Sequence, residues 1–151
     1  MAQAETITNE YLGKPGDHGH LKFITDAALN DSDKTLTVTS GKVWYVLHIY
    51  AKLISDANAG NRLMALIVAD PNAVEIYRNA AVNVQIANAT EYYAWMPQIG
   101  TPAETVPTFH HLPFPFTYLP GGSTIRVYDN AAIAAATDDL TINALVVEYD
   151  G

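Results

Sequence analysis

The sequence predicts an all-β domain built as an antiparallel sandwich of eight or nine strands, preceded by an irregular arm. Three observations carry this. β-Branched and aromatic residues recur in short runs that alternate with period two. Gly, Pro and Asn turns separate those runs at roughly ten-residue spacing. No stretch demands a parallel crossover, and long connections between eight strands favour a jelly roll over an immunoglobulin-type sandwich. A chain of 151 residues suffices for one such domain, which would bury about two thirds of its unfolded surface. The reading divides it into an arm, 1–34, and a sandwich, 35–151.

The arm is polar, and Gly13, Pro15, Gly16 and Gly19 interrupt any periodicity. Leu21, Phe23 and Ile24 can form one short strand that lies on the domain's own sheet or reaches a neighbour. His18 and His20 would share one side of a strand, a spacing that suits a metal pair. A glycine-rich turn is the alternative, because no Glu follows at the distance a His-x-His barrel uses. TLTVT at 35–39 alternates, and Ser40-Gly41 turns it into residues 43–54, VWYVLHIYAKLI. Strict alternation puts Val43, Tyr45, Leu47, Ile49, Ala51 and Leu53 on the core face. Trp44, Val46, His48, Tyr50, Lys52 and Ile54 then form a mixed second face that is at least partly covered. The apolar run 61–69 is read as the antiparallel partner of 43–54, with Arg62 capping the intervening loop, pairing with Asp56, or solvated.

Asp70-Pro71-Asn72-Ala73 is a turn by composition. Val74 and Ile76, then Val82, Val84 and Ile86, alternate as two short strands broken near Asn79, with helix the competing reading for 80–95. YYAWM at 92–96 is an aromatic strand. Residues 97–120 hold six of the eight prolines, together with Phe109, Leu112, Phe114, Phe116 and Tyr118. Proline removes ladder donors, so this segment reads as a long loop joined to an edge strand, of a length common in functional loops. Its phenylalanines either cover one end of the core or contact a partner. After the Gly121-Gly122 turn, a strand should face Ile125 and Val127 inward and Arg126 and Tyr128 outward. Residues 131–139 read as a short helical connection or a wide loop, and 140–149 as the closing strand.

Charge and motifs exclude several functions. The formal net charge is −8, with seven Lys/Arg against nine Asp/Glu in residues 1–78 and Arg126 alone against seven acids afterwards. Without clustered cations there is no counterion release to drive nucleic-acid binding. No cysteine is present, so disulfides and thiolate metal sites are out. The N-terminus shows neither the basic nor the apolar region of a secretory leader, and no apolar run is long enough to span a bilayer. No Gly-x-Ser-x-Gly elbow or nucleophile–base pairing is visible, and Gly121-Gly122-Ser123 precedes a strand rather than a helix. Asp129, Asp138 and Asp139 could meet around calcium only if their loop folds back. The expectation is no catalytic residue, no cofactor and no metal.

Several stretches resemble a group of small tailed-phage proteins: the Ala59-Gly60-Asn61-Arg62 loop followed by an apolar strand, the run LPGGSTIRVYDNAAI at 119–133, and Asp138-Asp139-Leu140-Thr141. The likeness covers about 43–149 and is similar in size and architecture to jelly-roll cement, or decoration, proteins of capsids. It implies a structural virion protein on the capsid surface, made in the host cytoplasm. Its partners would be the major capsid protein and its own copies, as a dimer or trimer, with no nucleic acid and no membrane. Interface anchors would then be Tyr11 and Leu12 in the arm and Phe109, Phe114 and Phe116 in the proline-rich loop, since aromatic anchors dominate interface energy. The rival implication is a tail, fibre or baseplate module using Trp95, Tyr92 and Tyr93 to stack on host sugars.

Overall fold

A computed structural model describes residues 18–29, 31–97, 103–106, 108–115, 117–131 and 137–151. Eleven strands form two facing sheets, and no helix occurs among the described residues. In chain order the strands are β1 (His20–Asp26), β2 (Asp33–Thr37), β3 (Lys42–Ile54), β4 (Met64–Ala69), β5 (Glu75–Ala80), β6 (Thr90–Met96), β7 (Ala103–Val106), β8 (Phe109–Pro113), β9 (Thr117–Pro120), β10 (Thr124–Asp129) and β11 (Asp139–Asp150). The larger sheet runs β1-β11-β3-β6-β8-β7, with β9 also on β3; the smaller runs β2-β10-β4-β5. If β7, β8 and β9 are set aside, the remaining eight strands interleave as first-eighth-third-sixth against second-seventh-fourth-fifth. That order is a jelly roll.

The interleaving explains one correction. β3 and β4 do not form the hairpin expected from sequence, because a jelly-roll chain changes sheets between them. β3 pairs instead with β11, β6 and β9, and β4 with β10 and β5. The hairpin lies one turn later, between β4 and β5, where Asp70 Oδ1 accepts the Asn72 and Val74 amides at 2.8 Å and Ala73 takes φ +62°. The short strand expected at Leu21, Phe23 and Ile24 is β1, which lies on the domain's own larger sheet: it pairs with β11 along its whole length, and Ile24 packs on the core.

A second correction concerns the faces of β3. Trp44 and Val46 are buried, and so are Ile49, Ala51 and Leu53, which have the opposite parity. The register explains the switch: Leu145 of β11 faces His48 while Val146 faces Val46, so Leu47 is the extra residue of a β-bulge. One inserted residue inverts every side chain beyond it. Val43 and Tyr45 therefore point outward and Trp44 inward.

The third correction is at 82–86. Only an isolated bridge forms there, Arg62 with Gln85, whose backbones exchange bonds of 2.8 and 2.9 Å. Val82, Val84 and Ile86 point out, 72, 43 and 62 % exposed, while Gln85 is buried. The inward glutamine donates to the carbonyls of Leu53 and Ala89, so a polar side chain meets two backbone acceptors that an apolar one would leave unpaired.

Candidate functional site

The outer face of the larger sheet is the candidate site, and alternation along its strands builds it. With the inner parity filled by Ile49, Ala51, Leu53, Tyr93, Trp95, His110 and Leu112, the neighbouring residues Tyr50, Tyr92, Phe109 and His111 must project outward. Tyr50 and Tyr92 stack at 6.2 Å between centroids, Tyr92 and Phe109 at 6.0 Å, and His111 meets the Phe109 ring at 4.9 Å. His48 lies 6.4 Å from Tyr50. Beyond the bulge, Tyr45 faces Tyr118 of β9 at 4.7 Å, and Tyr118 is 62 % exposed. Seven rings from β3, β6, β8 and β9 therefore cluster on one sheet face, most of them half-buried.

Charge is nearly missing from this face. Of the described side chains it presents from β1, β11, β3, β6, β8 and β9, only Lys52 is formally charged, apart from Asp139 at one rim. The other acids whose side chains are described lie off this face. Burial among the rings pushes the His48 imidazole below its ordinary value, and neighbouring His111 pushes it the same way. Tyr50 is raised, first by burial and then by Tyr92. Both groups are therefore neutral at neutral pH.

Gly19 closes the face at β11. A Cβ at this position would lie 2.5 Å from Val147 and 2.6 Å from Tyr149, so the chain entering β1 passes directly over those outward side chains. The glycine of Asp17-His18-Gly19-His20 is thus explained by close approach. Among the described residues no three His, Asp or Glu side chains converge as metal ligands.

Two buried polar clusters lie away from the face. Arg62 is fully buried and all five of its N–H groups are used. Nε donates to Asp138 at 2.8 Å, one terminal nitrogen to the carbonyls of Asn58 and Gly60, and the other to Asp56 at 2.6 Å and Asp138 at 3.0 Å. This fork ties the 55–63 crossover to the start of β11, and the Asp138 hydrogen bond holds the guanidinium above its ordinary value. Asp56 is the partner that sequence suggested; Asp138 was missed, because nothing in an aspartate pair announces burial. Asp129 accepts the Leu63 and Ala131 amides. In the interior, His110 Nε2 lies 2.6 Å from Glu91 and its ring stacks on Tyr93 at 4.7 Å. The Tyr93 hydroxyl lies 3.1 Å from Gln85 Oε1 and 3.2 Å from Glu91 Oε2, and burial followed by the Glu91 charge raises it.

The sequence-predicted anchors divide. Phe109 lies on the aromatic face, whereas Phe114 is 2 % exposed, packs edge-on to Tyr77 at 5.5 Å and belongs to the core. Tyr11, Leu12 and Phe116 lie outside the described residues. Of the sugar-stacking set, Trp95 and Tyr93 are fully buried and only Tyr92 faces outward. None of Tyr45, His48, Tyr50, His111 and Tyr118 was expected as an anchor. The available signal was the excess of rings on both parities of residues 43–54.

The fold defines the chain as a jelly-roll β-sandwich, enlarged on one sheet. No family model matches it and no curated protein matches it. Among solved structures it is similar to dimeric latent PorU from Porphyromonas gingivalis, at 11 % identity and TM-score 0.42, over 89 % of this chain and 13 % of that one. It is similar to an exo-β-agarase at 11 % and 0.39, over 95 % and 24 %. It is also similar to a chain of infectious bursal disease virus, Gx strain, at 12 % and 0.33, over 87 % and 32 %. The chain thus spans a third or less of these proteins, and likeness at these scores carries no functional argument.

Proposed function

We propose that this protein is a structural component of a virus particle, a cement or decoration protein of a tailed-phage capsid, that grips coat subunits through the outer face of its larger sheet. One observation supports this best: a cluster of seven rings from β3, β6, β8 and β9, with almost no charge, on one face of an otherwise acidic domain. Interface cores are depleted in charge and enriched in aromatic residues, and a contiguous apolar surface on a soluble domain marks an interaction site. In this reading the protein binds coat subunits and carries out no chemistry. Repetition over a capsid lattice multiplies modest contacts into firm attachment.

Purified particles test it. The protein should appear in copy number comparable to the coat protein, and a Tyr92→Ser/Phe109→Ser variant should fold normally yet be lost from particles. Scarcity on particles, or full occupancy by the variant, would overturn the reading. A second reading is favoured by the clustered rings of Tyr50, Tyr92 and Phe109, whose centroids lie 6.0–6.3 Å apart with Tyr92 inclined 21–26° to the other two: a tail or fibre module stacking glycans. Binding on a glycan array, abolished by the same double variant, would move the assignment there.

A further inference from the structure

We propose that β1 is a self-association edge, pairing antiparallel with β1 of a second copy about a two-fold axis through Phe23. β1 ends the larger sheet, and among the described residues no strand pairs with its far side. Its sequence, HLKFITD, presents Leu21 and Phe23 outward at 65 and 72 % exposure, with no proline and no bulge. Natural sheets protect such edges, because a row of open backbone donors and acceptors beside apolar side chains invites another strand. Both edges of the smaller sheet are protected. β5 carries the Arg78–Glu75 ion pair and a register shift opposite Val68/Ala69, and β2 is five residues long with Asp33 held by Arg126.

The order of side chains along β1 suits a second copy and sets the direction. The lysine on β1 is occupied by Glu148 at 3.0 Å, and Asp26 is paired with Lys34 at 3.7 Å, so the edge presents little uncompensated charge to a neighbour. The basic residues lie in its first half and the acid at its end. Antiparallel pairing with an identical strand therefore sets His20 opposite Asp26, Leu21 opposite Thr25 and Phe23 opposite Phe23, whereas parallel pairing would stack like on like. Such a contact is isologous and closes as a dimer. It also runs the aromatic faces of two copies into one surface, since Leu21 and Phe23 lie in register with Val147 and Leu145 on that same side.

Sedimentation of the full chain tests this with no capsid present, so its outcome is independent of the functional reading above. The native protein should sediment as a dimer. Phe23→Lys and Phe23→Asp should each keep the native circular dichroism and weaken dimerisation at least about tenfold, because like charges then meet across the axis. An equimolar mixture of the two variants should restore dimers. A native chain that stays monomeric at its highest soluble concentration would overturn the proposal, the edge then being filled by the chain's own N-terminal segment or left open. So would dimers indifferent to either charge, or a mixture that stays monomeric.

Discussion

Replacing Arg62 by methionine should destabilise the domain more than any surface change, and the structure sets the size of the loss. The side chain is fully buried, as is its partner Asp138, and five N–H bonds disappear together. Methionine fills much of the volume, so the main cost is a carboxylate left out of water with, among the described residues, only the Asp56 amide donating to it. Breaking one member of a buried pair costs about 3–5 kcal/mol. At about 2–4 °C per kcal/mol for a domain of this size, the midpoint should fall by about 6–20 °C. Thermal and urea unfolding followed by circular dichroism read both numbers. A companion variant, Arg62→Met/Asp138→Leu, removes both charges and should recover more than half of the loss, since a hydrophobic pair substitutes well for a buried ionic one. A single variant within about 1 kcal/mol of the native protein would refute the reasoning. So would a double variant no more stable than the single.

Phe114→Ala should cost about 3–5 kcal/mol in urea unfolding, as expected of a buried ring removed from a packed core, and loss of particle binding without loss of stability would show that the ring does not belong to the core. Stability should also fall on acidification in two steps, measured as urea midpoints against pH. His48 lies below its ordinary 6.5, so the unfolded chain takes up the proton first and stability declines as pH falls from 6.5 through the lower folded value; His48→Phe should remove only this step. Glu148 lies below 4.5, burial opposing but the Trp44 indole at 2.8 Å and Lys22 prevailing. Asp56 lies below 3.8, first through the Thr137 hydroxyl. Their contributions are complete above those ordinary values and are lost as pH falls through the folded ones, so a flat profile below about pH 4 would contradict the assignment.

Sequence alone showed the class of fold, because alternation and turn chemistry are local. It showed Ile125 and Val127 inside and the turn at Asp70-Pro71-Asn72-Ala73 for the same reason. It lost the faces of β3, since Leu47 is an ordinary strand residue and only the partner strand reveals that it is unmatched. It lost residues 82–86 because a glutamine's inward turn depends on carbonyls contributed by Leu53 and Ala89, one of them about thirty residues away in the chain. Gly19 read as part of a glycine-rich turn when its role is steric, set by Val147 and Tyr149 at the far end of the chain. The site was half legible. Phe109 was named from its proline-rich setting, but the rings that surround it come from β3, β6 and β9, and only strand order places those side by side.

The proline-rich segment is what separates this molecule from a plain jelly roll. It enters between the sixth and seventh strands of the basic fold, where β6 is an edge, and β8 extends that edge in parallel. Alternation then divides its side chains between two tasks. His110 and Leu112 turn inward with Phe114 and Leu119 to close the end of the core, while Phe109, His111 and Tyr118 turn outward. Without the insertion the larger sheet would be four strands wide, like its partner, and would present Tyr45, His48, Tyr50 and Tyr92 along a narrow strip. With it the sheet has seven strands, and the rings of β3 and β6 acquire neighbours to stack on. Proline, which cannot sit inside a central strand, is tolerated because Pro113 and Pro120 are the last residues of β8 and β9, and Pro113 lies beyond the β7–β8 register. The same residues that stop the segment from forming a regular hairpin therefore let it widen the face on which the proposed function rests.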